Sequence, residues 1–246
     1  MLPIGPEALL LVALLSFGAS LLGGVAGYGT GLILPPILVP LIGAEAVVPV
    51  IGHSALLTNA GRVLAYRAWL DRGAARRIAL AALPGTVLGA WGFSALGGRG
   101  AALVIGMTLV ALVPLRRGAR RAEWRLGPGG TAAAGAGYGA VVGGTAGSGV
   151  ILLSILLAAG LTGPAVIATD AAISIALGTV KTLTFAATGA LSPGLFLLAL
   201  VIGGAAFPGG FVARRFALRM GDGVQTAILD GAVVAGGLLL MWEGLS

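Results

Sequence analysis

Two rows of polar side chains stand out in a chain that is otherwise almost free of charge. In the first, Ser54, Thr58, Arg62 and Tyr66 recur every four residues, and Asn59 adjoins Arg62. Residues four apart share one face of a helix. In the second, Asp170, Ser174, Lys181, Thr184 and Thr188 fall on a common helical face. A charge at the centre of a bilayer costs at least about 2.5 kcal/mol, so such a row should face a protein interior. Arg62 and Lys181 are candidates to supply positive potential to a bound anion. The alternative for Arg62 is to snorkel, because it lies near the expected inner end of its helix. Asp170 is a candidate either to pair with a cation from another helix or to carry a proton. Lys181 is about 16 Å away along the same helix, too far to be that cation. His53, the single histidine, points away from the Arg62 row in a regular helix. It is either a packed neutral side chain or a proton carrier, since histidine titrates near neutral pH.

A second set of candidates is built from backbone. Gly23-Gly24-Val25-Ala26-Gly27-Tyr28-Gly29-Thr30-Gly31 is followed by Pro35-Pro36, and Gly143-Gly144-Thr145-Ala146-Gly147-Ser148-Gly149 recurs later. Glycine clusters and prolines interrupt helices. An interrupted helix leaves free N–H groups and a positive dipole end. Within a bilayer those groups need a cavity or a ligand. Glycine lets the backbone approach that ligand closely. Gly29, Thr30 and Gly31 with Gly147, Ser148 and Gly149 are therefore candidate contacts for a small anion. The competing reading is that the glycines only permit close helix packing.

The elements that must position these groups follow from composition. Of 246 residues, 58% are hydrophobic and only 9% charged, against about a quarter charged in a soluble domain. Such a chain cannot coat itself with a polar surface, which predicts an all-α, polytopic integral membrane protein. Its net charge of +7 does not indicate nucleic acid. The cations cluster at Arg67–Arg77, Arg116–Arg125 and Arg214–Arg219, between apolar runs, and no basic domain with interleaved aromatics exists. Trp69, Trp124 and Trp242 fall near expected membrane interfaces. The amino terminus lacks a basic stretch before its apolar run, so it reads as a first membrane segment. There is no cysteine, one histidine and no cluster of carboxylates, so an enzyme, a cofactor or a metal centre is not expected.

Charge-free runs and breaks divide the chain into segment A around the first glycine cluster, then B at 45–66, C at 78–96 and D at 101–115. A basic linker, 116–128, precedes A′ around the second cluster, B′ at 165–187, C′ at 193–213 and D′ at 224–241. Segment A reads as a pair of short helical pieces around its turn. Gly29-Thr30-Gly31-Leu32-Ile33-Leu34 matches Gly147-Ser148-Gly149-Val150-Ile151-Leu152, and Leu83-Pro84-Gly85 matches Phe207-Pro208-Gly209. The B–C loop carries Arg67, Arg72, Arg76 and Arg77, whereas its counterpart near 188–193 carries no cation. In the second half the cations Arg214, Arg215 and Arg219 sit after C′ instead. Lys and Arg mark cytoplasmic loops. The halves, 1–115 and 129–246, are thus expected to be inverted copies joined by a cytoplasmic linker. Inverted repeats with discontinuous helices are a common transporter architecture. Eight to ten membrane segments would result, as three crossings plus a re-entrant hairpin, or five crossings, per half.

These residues carry a family resemblance. A glycine-rich broken first segment runs into Gly31-Leu32-Ile33-Leu34-Pro35-Pro36, and B ends in Ala65-Tyr66-Arg67. Segment C contains Ala82-Leu83-Pro84-Gly85-Thr86-Val87-Leu88-Gly89-Ala90, and B′ carries Ala168-Thr169-Asp170-Ala171. The chain resembles the TauE/SafE family of sulfite and organosulfonate exporters over nearly its whole length. The resemblance implies export of a small sulfur-containing anion across the bacterial cell (inner) membrane, driven by an ion gradient. Its partners would be that anion, membrane lipid and, as a candidate assembly, a second copy of the chain. An anion channel of the same fold, or a transporter of another small anion, is the alternative. The family often shows Ala-Thr-Ser at the start of B; here the residues are Gly52-His53-Ser54.

Overall fold

The computed structural model describes residues 2–26, 30–121 and 125–217, and every regular element among them is helical. Helix α1 (Pro6–Ala26) opens with a proline at its first position and Glu7 in its first turn. Proline there forgoes no hydrogen bond, and the carboxylate faces the positive dipole end. After the first glycine cluster come α2 (Thr30–Ile33) and α3 (Pro35–Ile42). They are nearly one helix, since Leu34 N donates to Thr30 O (3.1 Å) and Leu38 N to Leu34 O (2.9 Å). Pro35 and Pro36 have no N–H to offer the carbonyls of Gly31 and Leu32, and that interrupts the ladder. Gly43, at φ +81°, turns the chain into α4 (Ala44–Tyr66).

A 3₁₀ turn (Arg67–Trp69) leads to α5 (Arg72–Ser94) and then α6 (Gly98–Arg121). The second half runs through α7 (Pro128–Gly144), α8 (Gly149–Ala158), α9 (Pro164–Ala187), α10 (Pro193–Ala206) and α11 (Gly209–Ala217).

Four details differ from the expectation. Helix α1 is 21 residues long, so segment A holds one full-length helix and one short broken one, not two short pieces. Segment C begins six residues earlier, because the Asp71 carboxylate accepts a hydrogen bond from Ala74 N (2.8 Å) and caps the helix. Arg72, Arg76 and Arg77 are thus helical. Helix α6 continues to Arg121 through part of the basic linker, which is rich in the strong helix formers Arg and Ala. Segment C′ breaks at Phe207-Pro208, whereas α5 passes unbroken through Pro84. After Pro208, Gly209 and Gly210 bring α11 against Ser20 of α1 and the Arg62 backbone of α4. That contact needs the redirected chain. Gly27, Tyr28, Gly29, Glu123, Trp124, Arg219, segment D′ with Asp230, and Asp222, Trp242 and Glu243 lie outside the described residues.

Helices α4 and α9 pack together at the centre. The pattern around them is reciprocal: α5 lies against α7 and α9 of the other half, and α10 against α1 and α4. Glycine permits the closest approach. A Cβ on Gly139 would meet the Ala82 carbonyl, and one on Gly143 would meet the Thr86 carbonyl. Outward faces are apolar, with Leu10, Leu11 and Leu14 on α1, and Leu80, Leu88 and Trp91 on α5, all more than half exposed. Among the described residues, Pro6–Gly24, Pro164–Ala187 and Pro193–Arg215 are long and apolar enough to cross a bilayer. The chain folds as a polytopic helical membrane protein with discontinuous helices.

Candidate functional site

The two interruptions touch. A Cβ on Gly31 would lie 2.8 Å from the Gly147 nitrogen and 3.0 Å from its Cα. Gly147 has φ +79°, a left-handed conformation, and a Cβ there would run into Leu32. Both positions therefore need glycine, one for proximity and one for backbone shape as well. Close packing and access to a cavity turn out to be one geometry, because the same residues line a space of about 110 Å³. A single water needs roughly 10–15 Å³ by this measure, so a small oxyanion with some waters fits.

The walls are Thr30, Gly31, Gly147, Ser148 and Gly149 from the breaks, Asn59 and Arg62 from α4, and Asp170, Ser174 and Lys181 from α9. Gly149 starts α8, a ten-residue helix whose amino-terminal end opens on this space. Its first N–H groups and dipole favour negative charge there.

Arg62 and Asp170 are buried and joined, Nη1 to Oδ2, at 3.4 Å. Of the two roles open to Asp170, this is the pairing with a cation from another helix. The pairing also disposes of snorkelling, since Arg62 is 6% exposed and turned inward. Asp170 Oδ1 and Asn59 Oδ1 are buried and meet no donor among the described residues. Buried polar atoms are costly without a partner, so both are available to a bound group. The Asn59 amide can present either its oxygen or its NH₂.

Lys181 is 5% exposed. Its Nζ donates to Val142 O (2.8 Å) and Thr145 O (2.7 Å) at the carboxyl-terminal end of α7. An ammonium has three donors, so one remains toward the cavity. Its stem crosses α4 at Gly52, where a Cβ would come within 3.2 Å of Lys181 Cδ and Cε. Gly52 is thus the counterpart of the long cationic side chain facing it.

The remaining hydroxyls of both rows, Ser174 apart, are engaged away from the cavity. The hydroxyls of Ser54, Thr58 and Thr184 donate to carbonyls of their own helices. Tyr66 donates to Gly24 O at 3.2 Å. His53 lies outside the cavity lining and stacks on Phe196 of α10, with ring centroids 4.4 Å apart. Gly29 is outside the described residues. Two polar lining residues had no place in the sequence-based set. Tyr138 of α7 is buried and lines the cavity together with Ser148, and Thr145 follows the end of α7. Tyr138 is one of only three tyrosines and interrupts a run of glycine and alanine, the one signal that pointed to it.

The profile of the family described as Sulfite exporter TauE/SafE matches residues 12–240, both breaks and all of these walls included. The chain belongs to the TauE/SafE family. It is therefore a transporter of a sulfite and anion exporter family. No curated protein and no solved structure matches it. Within this TauE/SafE chain, Arg62, Asp170 and Lys181 are the charged residues lining the cavity among those described. Two cations and one carboxylate leave the lining net positive.

Proposed function

We propose that this protein exports a small sulfur oxyanion, sulfite or an organosulfonate, across the cell (inner) membrane by alternating access. One observation carries the reading: the two helix interruptions meet at a single cavity whose described charges sum to positive. Amide groups at the start of α8 and the hydroxyls of Thr30 and Ser148 would bind the anion's oxygens. Arg62 and Lys181 would supply the attractive potential, with Asn59 completing the contacts. Residues 1–115 and 129–246 would be inverted repeats about a cytoplasmic linker at 116–128, and the reciprocal packing of α5 and α10 supports that reading. Rocking one repeat against the other would open the cavity to each side in turn.

Coupling to an ion gradient would run through Asp170 and not through His53. Asp170 shares the cavity with Arg62, while His53 lies on another face of α4. An anion that engages Arg62 weakens the one charge pairing of Asp170 among the described residues. A buried carboxylate without compensation is costly, so anion binding at Arg62 and proton binding at Asp170 would go together.

Uptake of radiolabelled sulfite into proteoliposomes tests the reading. Wild type should show saturable uptake that responds to a proton gradient, and Arg62→Ala and Lys181→Ala should lose it. Full activity in both variants would remove the charges from the mechanism.

A further inference from the structure

Lys181 makes contacts that anion binding does not require. Helix α7 ends at Gly144, and its cap residue Thr145 is extended, at φ −133° and ψ +165°. Carbonyls in the last turn of a helix have no intrahelical partner and carry its negative dipole. The Thr145 hydroxyl donates to Val141 O (2.7 Å), and Lys181 Nζ donates to Val142 O and Thr145 O at 2.8 and 2.7 Å. The ammonium also lies 5.8 Å from the centroid of the Phe185 ring, within cation–π range. Gly52 leaves room for its stem. Two carbonyls, an aromatic face and a cleared path together form a seat built for a cation.

In transporters with discontinuous helices, half-helix carboxyl ends and unwound carbonyls are where a free cation such as Na⁺ is held. In the first half, the Tyr66 hydroxyl donates to the Gly24 carbonyl in the last turn of α1. A fixed positive charge serves one break, and a neutral hydroxyl serves the other.

We propose that the Lys181 ammonium is a tethered stand-in for a coupling cation, held at the open carboxyl end of α7, and that this transporter works without Na⁺. The inference rests on the transport reading above and goes beyond it in naming an ion the protein does not use. Because the positive charge is covalently attached, it travels with α9 and cannot be released with the substrate. Lys181 is a positioning residue in this account: it holds the second interruption in the shape that the cavity needs.

The experiment compares sodium chloride with choline chloride at equal concentration, using purified protein and proteoliposomes. Wild-type sulfite uptake and melting temperature should be the same in both salts. Lys181→Ala removes the charge and opens the seat. It should melt lower, and Na⁺ or methylammonium should raise its melting temperature by about 3 °C or more. Lys181→Met removes the charge but keeps the stem, and should melt lower without that rescue. Uptake or stability of the wild type that rises with Na⁺ would overturn the proposal, as would a Lys181→Ala protein that no small cation stabilises. Should wild type transport no sulfite, the substrate assignment fails, while the melting temperatures still decide whether the seat holds a cation.

Discussion

Replacing Gly31 with alanine introduces a single methyl group at the point where the two interruptions meet. The new Cβ would lie 2.8 Å from Gly147 N and 3.0 Å from Gly147 Cα, whereas ordinary contact begins at 3.4 Å. Both neighbours are backbone, so no flexible side chain can swing away. The breaks must separate by about half an ångström, and such overpacking costs about 1–3 kcal/mol. Where that cost falls on the binding-competent state, it corresponds to a loss of about 5- to 150-fold in affinity or rate. The assay is radiolabelled sulfite uptake over a concentration series, with melting temperature measured on the same preparation. Gly137→Ala is the control. Gly137 lies in α7 with nothing within 4 Å of an added Cβ, and alanine in a helix interior gains about 0.5–1 kcal/mol over glycine. Gly137→Ala should therefore keep wild-type uptake and equal or better stability. A Gly31→Ala protein indistinguishable from it would show that the interruptions do not touch as described.

Removing either partner of the Arg62–Asp170 pair should lower stability by about 3–5 kcal/mol. At roughly 2–4 °C per kcal/mol for a chain of this size, thermal unfolding should show it clearly, and Arg62→Met with Asp170→Leu should recover much of the loss. Tyr138→Phe removes a polar hydroxyl from the cavity lining, a loss on the scale of one hydrogen bond, about 0.5–1.5 kcal/mol, and should raise KM for sulfite up to about tenfold with kcat largely kept. His53→Gln should leave uptake within about twofold of wild type, whereas Asp170→Asn should abolish its response to a proton gradient. The opposite pattern in proteoliposomes would move coupling to His53.

Much of this arrangement could be read from residue order, because the signals were steric. Glycine clusters and Pro35-Pro36 favour interruption through local backbone effects, and so both breaks were legible. Arg62, Asn59, Asp170 and Lys181 were legible because charge and amide groups in an apolar helix need an interior. Which partner each would take was not legible. Lys181 meets carbonyls of α7, 36 and 39 positions away, and main-chain acceptors leave no trace in side-chain identity. Asp170 meets Arg62 across 108 positions, a pairing fixed by how α4 crosses α9. Tyr138 looked like one aromatic among small residues, and its hydroxyl mattered only once α7 and α8 were placed side by side. The break of C′ at Pro208 was hidden for a related reason. Pro84 and Pro208 are alike locally, and the glycines after Pro208 act only through contacts with α1 and α4.

The most direct measurement is an experimental structure of the purified protein determined in saturating sulfite. The account predicts an anion in the space between Gly31 and Gly147, within hydrogen-bonding reach of Arg62 and of the first amides of α8. An anion seated elsewhere, or interruptions held apart with lipid between them, would contradict it.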